Sequence, residues 1–411
     1  MNLTAESSDI AEGIVQEKLP EHIAPPSTDF LPWHKVRKQF IRQHQWNELA
    51  RRNIKDVWRA DLQKPSDAAS QGQSTLFVKP LCCLVIPGDH LLDVRSMWAE
   101  IEPLDCYMRY LGFNEGQGSQ QVGTDVHVAN NAVTSIRGVV SDSHVIRDKF
   151  EAIVGKTMAN QNLKQYGPYH IVNLDLCGSM FPNTESDVSP FYSALDVLLK
   201  YQFSNQKTLW LLFITTMVKP SAVNAGRMQD LCGPTMENLA AHPEFLAKVK
   251  SICPSAVADV NLVDFDSIPE AELVRLFGVA LGKWLLRMGQ VASPKWTVGM
   301  RRSYQYSISE ENGSVMLSLA FELRPNFADP VDATGMSKIQ GTQKEFPGEG
   351  VSAVKLAESV ANIADVDMKL AHDFELRATL VDAAANLMES AGFNREAYLK
   401  WVADGEPVGA Y

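Results

Sequence analysis

Residues 169–182 read YHIVNLDLCGSMFP: an apolar run that contains Asn173 and Asp175 and stops at Cys177-Gly178. A strand covered on both faces excludes an unpaired carboxylate, because burying one without a partner is costly. Asp175 therefore belongs at the carboxyl end of the strand, where open parallel sheets place their ligands. Asn173 and Cys177 share its side by the two-residue period of a strand.

Working outward, the flanking segments alternate in texture. "STLFVKPLCCLVIPG" and "CYMRYLGFN" precede the stretch as strand-like runs, with the helical "HLLDVRSMWAEI" between them. Residues 143–167 are predicted as a helix. "PFYSALDVLLKYQ" is predicted as another, and "KTLWLLFITTMV" as the next strand. Apolar strands alternating with helices imply a mostly parallel α/β sheet with helices on both faces. Residues 221–292 read as mostly helical. "KWTVGMRRSYQYSIS" and "SVMLSLAFELRP" then alternate with period two around Asn312-Gly313, which predicts an antiparallel hairpin.

The expected organisation is an acidic flexible tail over 1–29, a basic helical segment over 30–70 and a Rossmann-like unit over 71–325. A loop over 326–350 and a C-terminal helical extension over 351–411, read as a helix pair, complete it. The tail carries six acids and one lysine, and residues 30–64 carry nine Lys/Arg against three acids. Arg37, Lys38, Arg51 and Arg52 are the candidate nucleic-acid contacts on the outer side of that helix, although charge runs on helices are usually solvated faces. The net charge of −11 excludes a surface that is basic throughout.

No apolar run reaches the about 18–20 residues needed to span a bilayer, and the N-terminus is acidic, so a cytoplasmic protein with no membrane partner is expected. The six cysteines lack metal-ligand spacing and read as reduced thiols. Phosphate-loop and dinucleotide fingerprints fail letter by letter: Phe150 stands where the first needs glycine, and Gln121 where the second does. A metal held by Asp89, His90, Asp142 and Asp175 is a minor alternative, since their spacing specifies no geometry; no metal site is assigned.

"YLGFNE", "HIVNLDLCGSMFP" and the closing hairpin together resemble the class I S-adenosylmethionine-dependent methyltransferase family, over roughly residues 75–325. The resemblance implies a Rossmann-like sheet ending in an antiparallel hairpin, with S-adenosylmethionine as cofactor. It implies Gly88 and Asp89 near the methionine end, Asn114 or Glu115 on the ribose, and Asp175 with Asn173 at the catalytic position. The chain departs from the family at the first loop, where "IPGDHLLD" offers only Gly88. It departs again at the second strand, which ends in Asn114 rather than an acid. "DLCG" and His34-Lys35 are also similar, more loosely, to methyltransferase-like proteins of bacterial defence and mobile-element loci. That implies a nucleic-acid-associated role or a partner protein encoded nearby. Two readings stay open: an active methyltransferase, and a non-catalytic scaffold of that fold that binds nucleic acid or a protein partner.

Overall fold

The computed structural model describes residues 26–62, 79–116, 126–182, 190–308, 315–327 and 347–407. Its strands are β1 Leu81–Val85, β2 Met108–Phe113, β3 His144–Ile146, β4 Ile171–Asp175 and β5 Trp210–Val218. A small ribbon, β6 Val257–Ala258 and β7 Asn261–Leu262, stands apart from the main sheet. β8 Lys295–Met300, β9 Tyr304–Ser307, β10 Val315–Asn326 and β11 Ala364–Asp365 complete the set.

The main sheet runs β3-β2-β1-β4-β5-β10-β9-β11, with β8 also paired to β10. β1 to β5 are parallel to their neighbours, and β10 enters antiparallel between β5 and β9. The chain builds outward from β1 to β3 and then crosses to β4 on the other side of β1. That reversal is a topological switch point, and the order is that of a methyltransferase-type Rossmann-like sheet. β8 and β9 form one strand interrupted at residues 301–303, which oppose only Leu319 and Ala320. The Ser303 hydroxyl accepts the Ala320 N–H at 3.2 Å, replacing the ladder bond lost at this bulge.

Strand side chains alternate between two cores. Leu84, Val172, Leu174, Leu212 and Ile214 pack with residues of helices Met158–Tyr166, Pro190–Asn205 and Glu270–Val291. On the opposite face Leu81, Cys83, Val85, Ile171, Leu211 and Phe213 pack with the N-terminal helical segment, residues 36–62, and with helices Leu92–Ile101 and Phe374–Ser390.

The N-terminal segment contains two π turns, Arg42–Asn47 and Ile54–Trp58, each of which rephases the side chains that follow. They bring Trp46 and Trp58 fully inside, where the Trp58 indole donates to the Leu209 carbonyl at 2.7 Å. The C-terminal residues fasten the start of this segment. Glu406 accepts the Val36 N–H at 3.0 Å, the Tyr398 hydroxyl donates to the His34 carbonyl at 2.8 Å, and Ser27 bridges to Phe393.

Three readings of the sequence need correction. Residues 143–167 are not one helix: they hold β3, a 3-10 turn Phe150–Ile153, and the shorter helix Met158–Tyr166, whose first turn is capped by Thr157. A three-residue edge strand is too short to display its period. The C-terminal pair is four helices, Glu349–Ala361, Val366–His372, Phe374–Ser390 and Arg395–Ala403, with β11 between the first two. The basic side of the N-terminal segment does not all face outward, because Lys38 and Arg42 are buried. The Asn312-Gly313 turn and most of the acidic tail lie outside the described residues, and no described helix is long and apolar enough to cross a membrane.

Candidate functional site

The carboxyl ends of β1, β2 and β4 surround a cavity of about 310 Å³. Its β1 wall is the loop Ile86 to Leu91. That turn is not built on glycine. Leu91 itself adopts the left-handed conformation (φ 52) at the start of helix Leu92–Ile101, and its N–H donates to the Gly88 carbonyl at 3.0 Å. A non-glycine residue there is uncommon and is held by complete burial of its side chain. Gly88 is not in the left-handed conformation, and a Cβ there would meet the Trp33 Nε1 at 3.8 Å, an ordinary contact, so neither backbone hand nor space requires glycine at 88.

Asn114 clasps the β1 and β2 loops. Its amide donates to the Pro87 carbonyl at 3.0 Å and to the Asp89 carboxylate at 2.9 Å, while its oxygen accepts the Gly116 N–H at 2.6 Å. Glu115 sits on the rim and pairs with Lys149 at 3.2 Å. Asp148 and Glu151 extend this acidic rim, and Ile86, Phe113 and Phe150 supply apolar wall.

The N-terminal segment forms the remaining side through Trp33 and His34. His34 Nδ1 accepts the Leu31 N–H at 3.1 Å, so its proton resides on Nε2. Burial, Arg42 and His90 hold the His34 pKa well below the ordinary value, and burial lowers that of His90. Both imidazoles are neutral at physiological pH.

Beneath them, Lys38 forms a salt bridge with Asp175, and Arg42 pairs with Asp93 at 2.7 Å. The Lys38 and Asp175 side chains keep only 4% and 13% exposure. Burial works against the Lys38 ammonium, but Asp175, Tyr306 and Asp93 outweigh it, so its pKa is raised and it stays charged. Burial also pushes the Asp175 carboxyl up, with Lys38 opposing and Asp93 reinforcing. The result is a carboxylate more basic than an ordinary aspartate, fixed in place by a permanent cation.

Asp175, Leu176, Cys177 and Trp33 also border a second cavity of about 210 Å³, on the side of β9 and β10. The Tyr306 hydroxyl lies 3.4 Å from Lys38 Nζ, and burial pushes its pKa up to about 12. Cys177 is the one cysteine of the six with an exposed surface, while the groups crowded around its thiol, with Asp175 among them, strip it of solvation enough to push its pKa up to about 11.

Of the residues singled out from sequence, Gly88, Asp89, Asn114, Glu115 and Asp175 border the first cavity, and Arg37, Lys38 and Asp175 the second. Asn173 borders neither: it is buried below Asp175, and its side-chain oxygen has no partner among the described residues. Lys38 does not share an outer face with Arg51 and Arg52, which are exposed and pair with Glu100 at 2.7 Å and Asp56 at 3.7 Å. Asp142 lies before β3, at the other end of the strands, so Asp89, His90, Asp142 and Asp175 do not converge. No cluster of three or more His, Cys, Asp or Glu that could hold a metal occurs among the described residues. Sequence reasoning missed Trp33, Arg42 and Tyr306, whose places depend on contacts between segments far apart in the chain.

A family model, PP_RS20740-like, matches residues 27–403. The chain belongs to the PP_RS20740-like family. In this PP_RS20740-like chain the match takes in both cavities and every segment that borders them. No curated protein matches the sequence. Among solved structures the chain is similar to the plantazolicin methyltransferase BpumL in complex with SAH, with 10% identity over 72% of this chain and 96% of that chain, at a TM-score of 0.25. So slight a likeness carries no inference, and the fold assignment rests on the strand order itself.

Proposed function

We propose that this protein is an S-adenosylmethionine-dependent methyltransferase, with the cofactor in the larger cavity and the methyl acceptor in the smaller. The observation that supports this most is the meeting of two cavities at the carboxyl end of β4, beside the switch point, with Asp175 on their shared border. The residues present suit the cofactor's chemistry. Ile86, Phe113 and Phe150 offer apolar wall to a base, while Glu115 and Asp89 offer acceptors to ribose hydroxyls and to an ammonium. When bound, the cofactor would supply an electrophilic methyl group.

The protein's own contribution is positional and electrostatic, as catalysis by alignment requires. Lys38 fixes the Asp175 carboxylate, and its raised proton affinity suits it to accept a proton from an acceptor in the smaller cavity. Trp33 and Leu176 line both cavities and so border the path between cofactor and acceptor.

One observation favours a second reading, a scaffold without catalysis: the Asn114 amide is spent on Pro87 and Asp89, and no glycine cradle follows β1. Calorimetry with S-adenosylhomocysteine decides between them. The methyltransferase reading expects binding that weakens about tenfold when Glu115 becomes Ala, the loss of one charge-assisted hydrogen bond. Absence of binding to the wild type leaves the scaffold reading.

A further inference from the structure

The shape and chemistry of the smaller cavity bear on what the acceptor is. Its volume of about 210 Å³ lies below the range usual for sites that take drug-sized ligands, and it has room for about one substituted ring. Its walls are largely apolar, from Pro32, Leu176, Met217, Ile308 and Met316. Asp175, Lys38 and Tyr306 form one polar cluster in its lining, and the cations Lys35 and Arg37, which also line it, are turned to the Ile308 carbonyl and to Asp367. Lys38 occupies one oxygen of Asp175, and the side chain retains exposure toward the cavities. A buried carboxylate of this kind asks for a neutral donor, because a hydrogen bond completes it without importing a charge.

Resting on the methyltransferase reading, we propose that the acceptor is a small, mainly apolar molecule of the phenol type. It would be held by the cavity walls and recognised by one neutral O–H that donates to Asp175. The same observations weigh against a nucleic-acid acceptor. The cations of the smaller cavity, Lys35, Arg37 and Lys38, are engaged with the Ile308 carbonyl, Asp367 and Asp175; Arg42, Arg51 and Arg52 pair with Asp93, Glu100 and Asp56, and the rim of the neighbouring cavity is acidic.

Cys177 gives a direct readout, since it borders both cavities and the other five cysteines are buried. The rate of its alkylation by N-ethylmaleimide would be followed in the full chain with three probes: p-cresol, its methyl ether 4-methylanisole, and S-adenosylhomocysteine. p-Cresol should slow the reaction, and the ether, which has no hydrogen to donate, should need at least a tenfold higher concentration for the same protection. D175N, which keeps the size of the side chain but not its charge, should shrink that ratio toward one. A D175N chain that fails to fold leaves the wild-type comparison of cresol with ether decisive. I308W should fill the smaller cavity, abolishing protection by cresol while leaving protection by S-adenosylhomocysteine.

Equal protection by cresol and ether overturns the proposal, as does no protection by cresol where S-adenosylhomocysteine protects. Salt-sensitive protection by a single-stranded oligonucleotide with none by cresol overturns it in favour of nucleic acid. Failure of S-adenosylhomocysteine to protect wild type counts instead against the methyltransferase reading beneath it.

Discussion

Replacing Lys38 by Met tests the centre of the site. The substitution keeps most of the side-chain volume and removes the cation, leaving Asp175 buried near Asp93. Removing one partner of a buried pair costs about 3–5 kcal/mol, and the 13% exposure retained by Asp175 places this case near the lower figure. At about 2.1 cal/mol/K per residue, 411 residues give an unfolding entropy of roughly 0.9 kcal/mol/K, so a loss of about 3 kcal/mol lowers Tm by about 3–4 °C. The pH dependence carries the sharper signature. With Lys38 gone, the folded pKa of Asp175 lies still further above its unfolded value of about 3.9. A raised folded pKa means that the folded state binds the proton more tightly. The Asp175 contribution is then fully present below the unfolded pKa and is lost as pH rises through the folded one. The deficit of K38M should therefore be largest at about pH 8 and should narrow toward about pH 4.5. Urea unfolding of wild type, K38M, D175N and K38M/D175N at both pH values supplies the measurement. The double variant should recover to within about 1 kcal/mol of wild type, since it buries no lone charge. A K38M deficit that is the same at both pH values, or undiminished by D175N, would refute the pairing as the cause.

Two further perturbations probe the two ends of β2. Changing Asn114 to Asp supplies the acid common at the end of the second strand in the resembled family, yet it replaces two donated bonds, to Pro87 and Asp89, by contacts between acceptors. The cost should be about 2–3 kcal/mol at neutral pH by urea unfolding, shrinking as the carboxyls protonate, and a change below about 0.5 kcal/mol would show that the clasp is unimportant. Gly138 has φ +93, and a Cβ there would stand 2.4 Å from the Trp98 ring, while its carbonyl accepts the Met108 N–H at the start of β2. G138A should cost about 2–5 kcal/mol, from left-handed strain together with overpacking, and an unchanged denaturation midpoint would sink this account.

β1, β2, β4 and β5 were legible because each is an apolar run with helical texture on either side, and the hairpin because its period of two survives on both arms. β3 was not, since three residues at the sheet edge show no period. The turn after β1 was legible only as a missing glycine pattern; burial of Leu91 provides the backbone conformation instead, and no local rule announces that. Lys38 was misread, and Arg42 missed, for a different reason. They fall on the same helical stripe as buried apolar residues, but their partners Asp175 and Asp93 lie 137 and 51 residues away. Each charge alone violates its own element's pattern, an acid in a buried strand and bases in a buried stripe. Either violation left uncompensated would cost several kcal/mol, so each implies a partner of opposite sign in another buried element. Asp175 and Lys38, taken together as violations of opposite sign, were the legible trace of the site. Reading them separately, one as catalytic and the other as a surface contact, concealed that the N-terminal segment supplies one wall of both cavities.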